Sequence, residues 1–164
     1  MRDLTLFRAM LGLPPSANFL KGLDGPKADS PSCFFIEKGH IMEYIEMNSK
    51  KVVCLFFEPG EFVIPCHPTF STLKSLDDVH GGNFSHWAII STLRKFPESF
   101  VHYREVRKKY YEKIADRLRM QEMPVEKRME HLQKKQSWVF DLVDPKDIAN
   151  YLGIPISLFE MLVT

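Results

Sequence analysis

Apolar positions in the first half of the chain recur at strand spacing, and those in the second half recur at helical spacing. Leu4, Phe7 and Leu11 predict a helix over 3–13 that Pro14-Pro15 stops. The stretch 16–32 is rich in glycine, proline and aspartate, and only a short strand near Phe19-Leu20 is expected there. Cys33 to Ile36 precedes Glu37-Lys38-Gly39, His40 to Met47 alternates around Ile41, Tyr44 and Ile45, and Val52 to Phe57 is a β-prone run closed by Glu58-Pro59-Gly60. With the polar turn Asn48-Ser49-Lys50 between them, the last two read as an antiparallel hairpin. Phe62 to Ile64 and Phe70 to Leu76 add two more strands, separated by Pro65 and Pro68. Short strands this closely spaced predict a β-sandwich or jelly roll.

Beyond Asp77-Asp78 and Gly81-Gly82 the pattern is read as helical. Trp87 to Phe96 forms a short amphipathic helix, and Pro97-Glu98 opens a long one, since proline is tolerated in a first helical turn. From Tyr103 the apolar positions Val106, Tyr110, Ile114 and Leu118 form a narrow stripe flanked by Arg104, Arg107, Lys108, Lys113 and Arg117. Such a stripe suits a helix packed on a partner helix, and the four residues are expected at a homodimer interface. Met123-Pro124 ends it. A helix with Met129 and Leu132 on one side follows, Asp144-Pro145 opens another, Gly153 supplies a left-handed stop, and Ser157 to Thr164 makes the last.

Charge changes the picture only by its distribution. The chain of 164 residues is nearly neutral at +1, yet residues 101–136 hold 11 basic and 6 acidic side chains, whereas 137–164 hold 1 and 4. The molecule as a whole has no net field for nucleic acid or anionic lipid, but its middle is basic and its tail acidic. Cys33, Cys54 and Cys66 form no CxxC pair, and the odd count implies a free thiol, in keeping with a cytoplasmic location. No signal peptide or membrane-length apolar run is present, so no membrane partner is expected.

Two segments carry a family resemblance. CFFIEKGHIMEY at 33–44 with KKVVCLFFEPGEFV at 50–63 resembles the strand pairs of bacterial Crp/Fnr sensor domains, and ADRLRM at 115–120 with DPKDIANYLGI at 144–154 is similar to that family's hinge and first helix-turn-helix helix, in its Bacteroidetes-type members. The resemblance spans about residues 30–160 and implies an α+β chain. Its parts would be a cyclic-nucleotide-binding-like jelly-roll sensor at 1–97, a dimerisation helix at 98–121 and a partial winged-helix module at 122–164. It implies a homodimeric transcription regulator; the competing reading is a degenerate member that acts as a sensor or partner-binding dimer without sequence-specific DNA binding.

Departures from the family narrow the sites. Gly60, Glu61 and Lys74 stand where a ligand cassette would lie, but the stretch from Phe62 to Leu76 contains no arginine. A lysine is a point charge that cannot reproduce the bidentate fork a cyclic phosphate wants, so the expected effector is unknown and not a cyclic nucleotide. Arg107, Lys108, Arg119, Lys146 and Ser157 are the DNA-contact candidates, although the basic run 104–109 reads first as a solvated helix face. In the last helix, SLFEMLVT, Phe159 and Glu160 stand near where the family presents serine and arginine. Cys66, His67, His80 and His86 lack a ligand spacing, so they are read as loop residues and no metal or other cofactor is expected. Trp87 and Trp138 are read as core or interface anchors. No nucleophile triad, phosphate loop or paired carboxylates occur, so no enzyme is expected.

Overall fold

The structure, a computed structural model, describes residues 33–64 and 71–163 and the backbone of 16–19. The helix expected over 3–13, and Cys66 and His67, lie outside the described residues. Among the described residues seven strands form two antiparallel sheets: β1 (Ser16–Phe19), β7 (Val79–Phe84), β2 (Cys33–Lys38) and β5 (Phe62–Val63) in one, and β4 (Lys50–Phe57), β3 (Ile41–Met47) and β6 (Ser71–Ser75) in the other, in those spatial orders. Ile36, Phe34, Val63 and Val79 of the first sheet share a buried cluster with Ile41, Leu55, Phe57 and Leu73 of the second. The β3–β4 hairpin expected from the sequence forms, with Asn48 and Ser49 both at positive φ, the geometry of a tight two-residue hairpin turn.

One strand escaped the sequence pattern. Val79–Phe84, which holds the Gly81-Gly82 break before the helical region, is a strand that pairs with both β1 and β2. Its glycines break the apolar alternation because the neighbouring strand is too close for side chains: a Cβ on Gly81 would stand 2.1 Å from the Phe35 carbonyl oxygen and 2.6 Å from the Phe34 ring.

Helices follow in the expected order: α1 (His86–Lys95), a 3-10 turn at Pro97–Ser99, α2 (Phe100–Gln121), α3 (Val125–Lys135), the short α4 (Val139–Leu142), α5 (Pro145–Leu152) and α6 (Ile156–Val163). Asp144 caps α5 by accepting from the Lys146 N–H at 2.8 Å. Gly153 ends α5 at φ 69°, and the Ile154 N–H donates back to the Ala149 carbonyl at 3.0 Å, so the chain turns sharply into α6. Ile148, Ala149, Leu152 and Phe159 are buried in that corner with Leu132 and Val139. Met42, Val53, Phe56 and Leu76 belong to the same cluster, so the outer face of the β4–β3–β6 sheet and the helices beyond α2 share one core.

Candidate functional site

Helix α2 lies on the β unit through the face that carries Val106 and Tyr110. Val106 and Tyr110 are only 2% and 6% exposed in the single chain. Val106 packs among Phe35, Phe62, Phe84 and Ile89, and the Tyr110 ring stacks on Phe57 with centroids 6.3 Å apart. Ile114, partly buried, joins the same interior. The expectation that Val106, Tyr110 and Ile114 face a second subunit is therefore corrected: they bind the helix to its own sheets. Leu118 differs, at 56% exposed. Each interval of four residues overshoots one helical turn by about 40°, so three of them carry Leu118 about 120° away from Val106.

The outward face has its own pattern. Val101, Arg104, Lys108, Tyr111, Ala115 and Leu118, all exposed, follow at intervals of three and four, and three of them are sizeable apolar side chains. Alternating threes and fours are the heptad seam of paired helices. Arg107 lies beside this ridge and donates to the Tyr111 hydroxyl at 2.7 Å, while Lys108 and Glu112 stand 3.8 Å apart.

The three expected cassette residues do not come together. Gly60 and Glu61 lie in the turn between β4 and β5, where Glu61 is held by Lys113 of α2 at 2.6 Å and accepts from the Glu58 N–H at 3.0 Å. Lys74 sits on β6 opposite Met42, on the outer face of the other sheet. The Lys113 ammonium also donates to the Phe56 carbonyl at 2.7 Å, so this turn is fastened to the helix by a half-buried cation. Inside the β unit, sequence reasoning missed Glu43, a fully buried carboxylate directly across from Leu55 and Leu73. Its signal was available: it occupies an inward position in the alternation of β3. Cys33 and Cys54 are buried, and burial pushes the Cys33 thiol well above its ordinary range, which marks a packing residue rather than a nucleophile.

A crevice of about 590 Å³ separates the β4–β5 turn and α2 from α3, with Glu58, Lys109, Asp116, Arg119, His131 and Lys135 among its walls. Partial burial acts to raise the Asp116 pKa. Hydrogen bonds from Lys135 and His131, both 2.9 Å long, and their positive charge outweigh that effect and hold the carboxyl below its usual value. Burial pushes Tyr151 up to about 12, consistent with a ring packed against Phe56 at 4.7 Å and under the Arg117 guanidinium.

Beyond the crevice, the α3–α6 module docks on the β4 edge. The Val53 N–H donates to the Asn150 side-chain oxygen at 2.7 Å and the Asn150 amide donates to the Lys51 carbonyl at 2.9 Å, so one asparagine pairs with the open strand as a neighbouring strand would. Lys51 is also paired with Asp147 at 2.8 Å. Trp138, at the entrance to α4, donates from its indole to Glu58 at 2.9 Å and packs with its ring tilted against His40, centroids 4.2 Å apart, and the His40 ring nitrogen is 2.8 Å from Asp77. Trp138 is thus an interface anchor. Trp87 is not: it is 71% exposed on α1.

Of the DNA-contact candidates, Arg107, Lys108, Arg119, Lys146 and Ser157 are all exposed, but they lie on three different helices, and Arg119 is about 18 Å further along α2 than Arg107. Phe159 does not belong to the presenting face of α6; it is buried with its ring 6.5 Å from Phe140, leaving Ser157, Glu160 and Met161 outward. Among the described residues no helix is long and apolar enough to cross a membrane.

No protein-family model matches the chain, and no curated protein matches it. Solved structures do. A CooA mutant from Carboxydothermus hydrogenoformans aligns with a TM-score of 0.73 at 12% identity, covering 99% of this chain and 83% of that one. A cyclic nucleotide-binding domain containing protein from Listeria monocytogenes EGD-e aligns at 0.72 and 11% identity, over 97% and 87% of the two chains. FixK2 from Bradyrhizobium japonicum aligns at 0.71 and 10%, over 92% and 83%. The structural neighbours are regulators of the Crp/Fnr family rather than enzymes, and the chain shares their mixed helix-and-sheet fold.

Proposed function

We propose that this chain is a Crp/Fnr-like, cytoplasmic transcription regulator in which a jelly-roll sensor (1–97) is joined by a dimerisation helix (98–121) to a partial winged-helix module (122–164). The observation that carries this reading is the α5–Gly153–α6 corner, a helix pair joined by a left-handed glycine turn, connected to a two-sheet unit by one long helix. Two copies pair through the outward ridge of α2, where Val101, Tyr111 and Leu118 supply apolar contacts and Arg104, Lys108 and Glu112 supply charges of both signs. DNA is held by Arg107, Arg119, Lys146 and Ser157, Lys108 being committed to the paired ridge, with binding that is weak and steeply salt-sensitive.

The effector is a small molecule other than a cyclic nucleotide. Glu61 is already neutralised by Lys113, and Lys74 lies on the far sheet, so among the described residues no bidentate cation serves a cyclic phosphate there. One observation favours the second reading, a partner-binding dimer without sequence-specific DNA recognition: the outward side of α6 offers Glu160 and Met161 and no cation. A mobility shift with DNA upstream of the chain's own gene, at low and moderate salt, separates the two. A retarded complex that salt dissolves supports the regulator; no complex even at low salt supports the partner-binding dimer.

A further inference from the structure

The outward ridge of α2 is not uniform along its length. Val101 stands at one end and Tyr111, Ala115 and Leu118 toward the other, whereas Arg104 and Lys108 occupy the two consecutive ridge positions between them. In paired helices such positions point into the seam. When two copies lie side by side about a two-fold axis, each ridge position meets its own counterpart. Arg104 then faces Arg104, and Lys108 faces Lys108 about 6 Å further along the helix. Four cations converge in two neighbouring layers, an arrangement that repels unless something neutralises it.

Neighbouring carboxylates answer only part of that charge. An open groove of about 760 Å³ runs along this stretch of α2, and its walls hold Arg104, Arg107 and Lys108 against Glu105 and Glu112. The excess is one positive charge per copy and two per pair. Lys108 is only loosely matched within its own chain, 3.8 Å from Glu112 with both side chains exposed. Arg107 is turned to the Tyr111 hydroxyl at the rim, so Arg104 and Lys108 are the donors that pairing brings to the axis. We infer that the seam holds a small, doubly charged tetrahedral oxyanion on the two-fold axis, bound by Arg104 and Lys108 of both copies. This rests on the homodimer reading above, because neither copy has the site alone. The charge of such an ion equals the excess carried by the pair. A guanidinium offers it two parallel N–H donors and an ammonium adds a point charge, so donors from two layers suit its four oxygens. Binding that needs both copies tightens their association by linkage.

Sedimentation equilibrium of the full chain, at a mildly alkaline pH where inorganic phosphate is doubly charged, tests the site. About 10 mM phosphate, against chloride of equal ionic strength, should raise the dimerisation constant roughly fivefold or more, and sulfate should do the same. Arg104→Leu with Lys108→Leu should give a dimer at least as tight as the parent in phosphate, with no response to either ion, because the apolar seam then runs unbroken. Equilibrium dialysis with labelled phosphate needs no variant: one ion per two chains is expected where the chain is dimeric, and none where dilution makes it monomeric. One ion per chain bound equally by the monomer overturns the site and leaves the homodimer standing, as does a parent dimerisation constant that is the same in phosphate and chloride. A chain that stays monomeric at every concentration in all three salts overturns the homodimer reading, and the site falls with it.

Discussion

The two faces of helix α2 do opposite jobs with similar residue types. Inward, Val106, Tyr110 and Lys113 meet the chain's own sheets, so the apolar pair is buried and the cation is matched to Glu61 and the Phe56 carbonyl. Outward, Val101, Tyr111 and Leu118 stand in water with Arg104 and Lys108 between them. A tyrosine on either face carries the same area, and Tyr110 and Tyr111 are adjacent in sequence; only the 100° step of the helix decides which becomes core and which stands in solvent. Apolar periodicity therefore announces that a helix has an interface without saying whether the other side belongs to the same chain.

The largest effect that sharpens this contrast is expected from Tyr110→Ala, which leaves a hole beside Phe57 and should cost about 3 to 4 kcal/mol of stability, read by denaturant unfolding. Its effect belongs to the protomer and should persist at high dilution. On the other face, Tyr111→Glu with Leu118→Lys should leave unimolecular stability nearly unchanged and weaken self-association about thirtyfold or more, the 2 kcal/mol of an interface hot spot. Sedimentation equilibrium over a concentration series reads that difference. Lys113→Met keeps the stem of the side chain but leaves Glu61 and the Phe56 carbonyl without their shared donor, an expected cost of about 1 to 2 kcal/mol.

The smallest effect is at the end of the helix. Asp116 is held below its usual pKa by Lys135 and His131, so its contribution is present above the unfolded value of about 4 and is lost as pH falls through the lower folded value. Acidification below about pH 4 should loosen the α2–α3 junction, and Asp116→Asn should remove that portion of the acid dependence.

Much of the fold could be read from residues alone, for local reasons. Asp144-Pro145 and Gly153 mark the two ends of α5 because capping and positive φ are properties of single residues, and the β3–β4 hairpin follows from alternation on both sides of a polar turn. What stayed hidden depends on non-local neighbours. β7 was masked because its glycines answer to the Phe34 and Phe35 backbone and rings, not to a local turn. The short α4 was missed because four residues cannot establish a period. The Asn150 contact with β4 joins residues nearly a hundred positions apart, and an asparagine on a helix carries no mark of the strand it will meet. The cassette positions Gly60, Glu61 and Lys74 were grouped by position along the chain, whereas the fold leaves the first two in the β4–β5 turn, puts Lys74 on β6 and commits Glu61 to Lys113.

Cross-linking along α2 tests most directly that the outward ridge, not the buried stripe, joins two copies. Ala115 lies on that ridge and Ile114 on the inward side, one helical step away. Under mild oxidation Ala115→Cys should give a covalent dimer across the two-fold axis, while Ile114→Cys stays monomeric on a denaturing gel. A dimer formed by Ile114→Cys and not by Ala115→Cys would contradict the account.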